Sequence, residues 1–418
     1  MTGMIGRGAT TCRFCGSSAL FSVVDLGLSP LCETVVAPDS LEQPESFYPL
    51  HVRACEACWL VQIPEVVPRE EIFIEYAYFS STSDSWLEHA RNYVEMISRR
   101  LSLGRDSLVV ELASNDGYLL QNFVDREIPV LGIDPAANVA EVARERGVPT
   151  LTAFFGLDLA ERVAAEHGKA DLILGNNVLA QVPDLNDFVA GVAALLDAGG
   201  IATFEFPHLA ALLDHVEYDT IYHEHFSYFS LSTAVRIFEA QGLAVFDVDE
   251  LATHGGSLRV YCRHAHDGAE PDAAVAELLA REAARGLTER DGFMRFRDEV
   301  HESKRALLDA LIDYRRSGRQ VVGYGAPGKG NTLLNYCGIR TDLLEYTVDR
   351  NTYKQGMYTP GTRIPIYAPD RIGETRPDVI VILPWNLAEE IAEQLAYTSD
   401  WGARLVVPIP RPRVIASG

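Results

Sequence analysis

The chain has 418 residues, 47% hydrophobic and 23% charged, with a formal net charge of −23. That length exceeds one ordinary core, so two or three domains are expected, and no apolar run is long enough to span a membrane. The diffuse negative field repels phosphate backbones and excludes nucleic acid as a natural partner, although a small anion can still bind beside a local lysine or helix N-terminus.

Residues 1–10 lack the continuous apolar stretch of a secretory signal, so a cytoplasmic protein is the expectation, with no membrane and no obligate protein partner implied. Residues 11–65 carry Cys12, Cys15, Cys55 and Cys58 as two C-x-x-C pairs among short β-like runs at 20–24, 48–52 and 59–63. Pro30, Pro38, Pro44 and Pro49 interrupt the segment, which cannot build a large core by itself. Two such pairs place four thiolates tetrahedrally around one zinc ion; no coordination position stays open, so the metal is expected to be structural. A redox pair would instead start a helix within a βαβ unit. The other cysteines, Cys32, Cys262 and Cys337, read as small buried apolar residues.

The spacing then predicts a helix over 84–101, ending at Gly104. Strand patterns at 108–112, 130–133, 171–174 and 201–206 alternate with helical patterns at 117–125, 139–146 and 188–196. Short apolar strands alternating with helices make a parallel sheet covered on both faces, a doubly wound α/β domain. Residues 273–316 repeat Ala, Leu, Glu and Arg at helical spacing and link to a second α/β pattern, with strands at 321–324, 346–348 and 379–383. The expected division is 1–75, 76–265 and 266–418.

Val109-Val110-Glu111-Leu112-Ala113-Ser114-Asn115-Asp116-Gly117 resembles the first motif of class I methyltransferases, an acid followed by three alternating glycines. Ala113 and Asn115 take two of the glycine places and Gly117 keeps the last. Small residues let a backbone approach a cofactor, and Asn and Asp tolerate left-handed geometry. Asp134 ends the next strand, where an acid would hold ribose hydroxyls. The run from Asp171 through Asn176 and Asn177 to Leu179 resembles the fourth methyltransferase strand and its cofactor-facing loop. Gly199-Gly200 resembles the turn into the fifth. In this order the motifs predict an S-adenosylmethionine site on Glu111, Ala113, Asn115, Asp116, Gly117, Asp134, Asn176 and Asn177. The α/β pattern alone also fits an NAD-binding domain, against which the incomplete G-x-G-x-x-G at 111–117 counts.

Tyr222-His223-Glu224-His225-Phe226-Ser227-Tyr228-Phe229 is a dense polar–aromatic cluster. It fails as His-Glu-x-x-His because Ser227 stands in place of the second histidine. Read as a strand, it puts His223 and His225 on one face, where they can bind a metal if partners exist. Further on, Gly323-Tyr324-Gly325-Ala326-Pro327-Gly328-Lys329-Gly330-Asn331-Thr332 satisfies G-x-G-x-x-G and nearly satisfies the P-loop. Gly330 replaces the hydroxyl that would hold magnesium, so a kinase or ATPase is excluded. What remains is a set of backbone N–H groups at a helix N-terminus plus Lys329, able to hold a diphosphate, with Asp349 and Lys354 nearby. NAD and another diphosphate nucleotide fit equally, so a nicotinamide-dependent oxidoreductase acting on a nucleotide sugar is the alternative reading.

Taken together, the cysteine pairs, Asn176-Asn177-Val178-Leu179-Ala180, residues 222–228 and Gly323-Tyr324-Gly325-Ala326 resemble the C-methyltransferases of deoxysugar biosynthesis, over nearly the whole chain. The resemblance implies a zinc-binding domain, a cofactor-binding methyltransferase domain and a C-terminal α/β domain gripping a dTDP-linked 4-keto-3-amino deoxysugar, with methyl transfer to C3. By matching position His225 is the base, and Tyr222, Glu224 and Tyr76 line the sugar site. Gln181, Tyr78, Ala326, Lys329, Gly330, Asn331, Thr332, Asp349 and Lys354 are the further substrate-binding candidates. The family has His where this chain has Gln181, which removes that histidine from any role here. The residue types suit the chemistry: a His takes a proton at neutral pH, and a Tyr hydroxyl can donate to the enolate oxygen.

Overall fold

The computed structural model describes residues 10–74, 79–268 and 270–415, and arranges their strands in four-, seven- and six-stranded sheets. The expected small N-terminal module is an antiparallel sheet of β1 (Leu20–Ser29), β2 (Tyr48–Cys55) and β3 (Val61–Gln62).

The middle of the chain supplies β4 (Val109–Leu112), β5 (Val130–Asp134), β6 (Thr150–Thr152), β7 (Ala170–Asn176), β8 (Leu196–Pro207), β9 (Ser227–Tyr228), β10 (Leu243–Leu251) and β11 (Ser257–His264). All but β9 form one sheet in the order β10-β11-β8-β7-β4-β5-β6. Strands β4 to β8 run parallel, and β11 lies antiparallel between β8 and β10. This is the doubly wound α/β domain that the alternating pattern implies. The parallel strands read as apolar runs because both faces are covered: Val109, Val110, Leu172, Ile173 and Leu174 are fully buried.

The helix Asp84–Leu101 matches its expected span, with the Ser83 hydroxyl accepting from Trp86 N at 3.3 Å. The helix expected over 117–125 shrinks to Gln121–Val124, because Gly117 is still in the preceding loop at φ +77°. The helical stretch 273–316 is two helices, Ala273–Arg285 and the 26-residue Asp291–Arg316, interrupted where Gly286 takes φ +85° as a C-cap.

The C-terminal sheet contains β12 (Val321–Tyr324), β13 (Thr347–Val348), β14 (Ile366–Tyr367), β15 (Val379–Ile382), β16 (Arg404–Val407) and β17 (Arg413–Ile415). Its order is β14-β13-β12-β15-β16-β17, parallel except for β17. Chain direction across the sheet reverses around β12, which places the following loop and the helix Gly328–Cys337 at the crevice where α/β proteins bind ligands.

The three sheets do not have separate cores. Strand β9 leaves the middle segment and pairs with β3, in the register Val61↔Tyr228 and Gln62↔Ser227. One apolar cluster joins Phe21, Val24, Leu50 and Ile63 of the N-terminal sheet to Tyr218, Phe293, Leu334 and Val381. Phe293 packs edge-on to Phe21 at 5.8 Å and stacks on Trp59 at 6.3 Å.

Gly117 tests how firmly the first loop is set. A Cβ there would stand 3.1 Å from Val148 Cγ2 and 3.2 Å from Ala143 Cβ, on a backbone at φ +77°. Gly117→Ala is expected to cost about 1–3 kcal/mol, seen as a lower urea midpoint at unchanged slope. An unchanged midpoint would show that the loop yields instead.

Candidate functional site

The cysteine pairs sit on two tight turns. Gly16 closes the first at φ +72°, with its N–H donating to Cys12 O, and Trp59 closes the second at φ +66°, donating to Cys55 O. The four sulfurs lie within 4.8 Å of one another, with Cys12–Cys58 at 3.5 Å and Cys15–Cys55 at 3.6 Å. Zn–S bonds of ~2.3 Å in a tetrahedron separate sulfurs by about 3.8 Å, so this cage fits one zinc ion with no open position. Four thiol sulfurs packed this closely suit a divalent cation, which binds them as thiolates. Arg13, between two of these cysteines, donates from Nη1 to Pro183 O at 3.0 Å and from Nη2 to Ile63 O at 2.5 Å, and lies 5.3 Å over the Phe226 ring.

A cavity of about 660 Å³ opens where the three segments meet. Its walls take Glu33, Arg69 and Phe73 from the first segment, and Pro327, Gly328, Lys329, Pro384, Asn386 and Leu387 from the last; the middle segment supplies the rest.

On one side is the loop after β4. Ala113 (φ +57°), Asn115 (φ +49°) and Gly117 (φ +77°) all take the left-handed conformation at alternate positions. The turn usually made by three glycines is made here with an alanine and an asparagine. Asp134 fixes it, accepting from Asn115 N at 2.9 Å and Ala136 N at 2.8 Å. Burial outweighs those two bonds and pushes the Asp134 carboxyl up to about 6. Ala113, Asn115, Asp134, Asn176 and Asn177 line the cavity, beside Pro135, Ala136, Phe154 and Phe155, a lining suited to a nucleoside.

Glu111, Asp116 and Gly117 lie behind the loop instead. Glu111 is 1% exposed, and burial, with the charges of Asp134 and Asp116, pushes its carboxyl well above the usual range. Asp116 pairs with Arg146 at 3.1 Å and accepts from Ser81 N at 3.3 Å.

Residues 222–226 form a turn, closed by His225 N donating to Tyr222 O at 2.9 Å, and not the strand expected. The shared face for His223 and His225 is therefore corrected. His223 turns toward β2, with Nε2 3.3 Å from Pro49 O and its ring edge-on to Tyr48 at 5.8 Å. His225 turns to the cavity, and Tyr222, Glu224 and Gln181 line it too. The His225 Nδ1–H donates to Thr220 O at 3.1 Å, which leaves the lone pair on Nε2. Burial, followed by the charges of Lys329 and His254, lowers His225 to about 3, so the imidazole is neutral at neutral pH. Tyr76 and Tyr78 lie outside the described residues.

The diphosphate cradle expected at 323–332 needs correction. Gly328 N, at the start of its helix, donates to Glu33 Oε1 at 2.9 Å, and Ala326 N donates to Asp349 Oδ2 at 2.7 Å. Asn331 donates to Cys32 O at 2.7 Å, and Lys354 Nζ reaches Ala326 O at 2.8 Å and Glu33 Oε2 at 3.3 Å. A carboxylate satisfies a helix N-terminus as a phosphate would. Glu33 thus takes the anion's place, and the nicotinamide reading loses its phosphate site. Ala326, Asn331, Asp349 and Lys354 build this joint, and neither they nor Gly330 and Thr332 line the cavity. Lys329 does, half-buried, with Nζ 3.4 Å from His254 O and 4.9 Å over the Trp385 ring. Burial lowers its pKa against the pull of Asp219 and Glu217, with no direct ion pair among the described residues.

Several site residues escaped the sequence reading. Glu205 in β8 meets Arg259 in β11 at 2.6 Å and His89 at 2.9 Å, and accepts from Thr253 Oγ1 at 2.9 Å. Burial would raise Glu205, but His89 and Arg259 bring it down to about 2. His89 stacks on Trp86 at 4.9 Å, and both line the cavity together with His254. The available signal was Glu205 within the apolar run Ile201–Phe206.

Comparison with known proteins follows the same three segments. Family profiles match in order: a zinc binding domain over residues 12–73, a methyltransferase domain over 86–248 and a C-methyltransferase C-terminal domain over 252–410. The C-methyltransferase NovU of Streptomyces niveus is 37% identical over 413 residues, covering 99% of this chain and 98% of its own. Among solved structures, magnesium protoporphyrin IX methyltransferase of Synechocystis is similar at 15% identity, over 43% of this chain and 81% of its own, with a TM-score of 0.32. An S-adenosylmethionine-dependent methyltransferase of Clostridium acetobutylicum is 12% identical over 43% of this chain and 92% of its own, at a TM-score of 0.34.

The purified protein is expected to hold one zinc per chain by metal analysis. Cys58→Ser should release it and cost upwards of about 4 kcal/mol, because the cysteine turns pack into the methyltransferase core. A metal-free protein of unchanged stability would show that the cage is not structural.

Proposed function

The chain belongs to the C-methyltransferase family, as an S-adenosylmethionine-dependent enzyme with a structural zinc site, and we propose that it methylates C3 of a dTDP-linked 4-keto-3-amino deoxysugar. The observation that carries this reading is His225: a neutral imidazole with its tautomer set by Thr220 and its Nε2 lone pair available, on the cavity that also takes the cofactor loop. Carbon gives up a proton near neutral pH only beside a group that takes its electron pair, and C3 of a 4-keto sugar lies next to a carbonyl. When bound, S-adenosylmethionine supplies the methyl group, its C–S bond breaking as the new C–C bond forms.

The chain's own residues do the rest. His225 Nε2 takes the C3 proton. Entry of an anionic substrate offsets part of the burial that depresses this imidazole, which moves its basicity toward the working range. Tyr222, whose ring is 4.0 Å from His225, presents a hydroxyl that can donate to the C4 oxygen. Asp134 would accept from ribose hydroxyls, and Asn176 and Asn177, on the same cavity wall, would face the cofactor. Lys329 and Arg69 bring positive charge to the wall of an acidic protein, where an anionic sugar nucleotide needs it. Gln181 can donate or accept at the rim but cannot take up a proton. The roles divide along the chain: zinc through residues 1–75, cofactor through 76–265, substrate grip through 266–418.

His225→Asn is expected to lower kcat by roughly 10²–10⁴ with cofactor affinity intact, and Gln181→His to change the rate only modestly. Turnover that survives His225→Asn but depends on a histidine at 181 would move the base to that position. Asp134 sets a second expectation. Its carboxyl is raised to about 6, so it is charged above that pH and neutral below it. Cofactor affinity by calorimetry should fall as pH drops through 6, and Asp134→Asn should flatten that dependence. A pH-independent affinity would remove Asp134 from the ribose.

A further inference from the structure

The turn after β10 holds a second histidine on the same cavity. His254 sits at φ 56°, ψ 19°, followed by Gly255 and Gly256 at φ +95° and +135°. A left-handed histidine persists only where its surroundings impose it, and here three ties do so. Thr253 Oγ1 donates to Glu205 Oε1 at 2.9 Å, Lys329 Nζ donates to His254 O at 3.4 Å, and Asn177 Nδ2 donates to His254 Nε2 at 3.1 Å. There is no slack around the turn: a Cβ on Gly255 would collide with Glu217 and Trp385.

The Asn177 bond decides the tautomer. Because Nε2 accepts, the ring proton is on Nδ1, which makes no hydrogen bond among the described residues. His254 is half-buried on the cavity wall, and its Nδ1 is not among the buried unpaired atoms, so this N–H is open to solvent or to a ligand. We propose that His254 Nδ1–H is a second hydrogen-bond donor to the substrate's carbonyl oxygen as it becomes an enolate oxygen, an assignment that rests on the carbon-acid reading above. As the C–H bond breaks, the proton goes to His225 Nε2 and the electron pair moves through the new C=C bond onto that oxygen. His254 keeps its own proton and only donates. Burial, then the Lys329 charge, lower His254 to about 4, so at neutral pH it is an imidazole that donates from Nδ1. Lys329, hydrogen-bonded to the same residue's carbonyl, places a half-buried cation beside the developing anion.

The test separates the donor from the reaction it serves. Exchange of the C–H proton with D₂O, followed by NMR without cofactor, uses a dTDP-linked 4-keto-3-amino deoxysugar as probe and the full-length protein. The unaltered chain should exchange. His254→Ala should slow exchange and kcat together by roughly 10²–10³, with KM and cofactor affinity within a few-fold. His254→Asn, which tolerates left-handed backbone and sets an amide N–H near the Nδ1 position, should recover at least about tenfold of that loss. Exchange at the unaltered rate in His254→Ala overturns the assignment alone. Loss of cofactor binding in both variants makes the turn structural and overturns it too. No exchange by the unaltered chain overturns the carbon-acid reading, and this assignment with it.

Discussion

Two residue pairs of β-ladder hold the site together. Val61 and Gln62 of the zinc-bearing sheet pair with Tyr228 and Ser227, and Ile63 N donates to Phe226 O at 3.1 Å. The turn that carries His225 is thereby a continuation of a strand belonging to another module. Arg13 reinforces the link, since it grips the end of β3, the Phe226 ring and the backbone at Pro183 next to the cavity rim. The cysteine turns thus hold Arg13 and β3, and these hold the turn that carries the His225 imidazole. If His225 is the base proposed above, that anchoring matters, because an ångström of misplacement is costly for proton transfer.

Around that turn, burial sorts the ionisable groups by whether they have partners. Glu205 stays charged because Arg259, His89 and Thr253 surround it. Glu111 and the two cavity histidines lie where burial favours their neutral forms. Lys329 stands apart as a half-buried cation on the cavity wall whose carboxylate neighbours act only from a distance. The result is a cavity with two neutral imidazoles and the positive charge of Lys329 and Arg69 on its wall, inside a chain of net charge −23. A local field of that sign can bind an anion that the protein's far field would repel.

The architecture was largely legible because parallel strands buried on both faces leave continuous apolar runs, and β4, β5, β7, β12 and β15 each left one. Strands β10 and β11 were missed because one carries Asp247, Asp249 and Glu250 and the other Arg259 and Arg263, so neither reads as a run. The zinc cage and the loop 113–117 were legible because their constraints are local in sequence. The second glycine-rich loop misled for the opposite reason. Its helix N-terminus is satisfied by Glu33, which lies 295 residues away, and spacing within the loop cannot show that. His254 was hidden likewise, since its tautomer depends on Asn177 and its backbone on Lys329.

The shared apolar cluster has a consequence for how the chain is made. The cysteine segment leaves the ribosome first, yet Phe21, Leu50 and Ile63 bury themselves against Phe293, Leu334 and Val381. Until those partners emerge, the nascent N-terminal sheet displays its apolar face to water and to other nascent chains. Zinc can close the cysteine turns early, but no metal covers that face. Such a polypeptide completes its first module last, and contacts between distant segments make that step slow and exposed to aggregation. Expression at low temperature or with chaperones that shield apolar surface should matter more for this three-segment chain than for an isolated methyltransferase domain, whose strands meet soon after they are made.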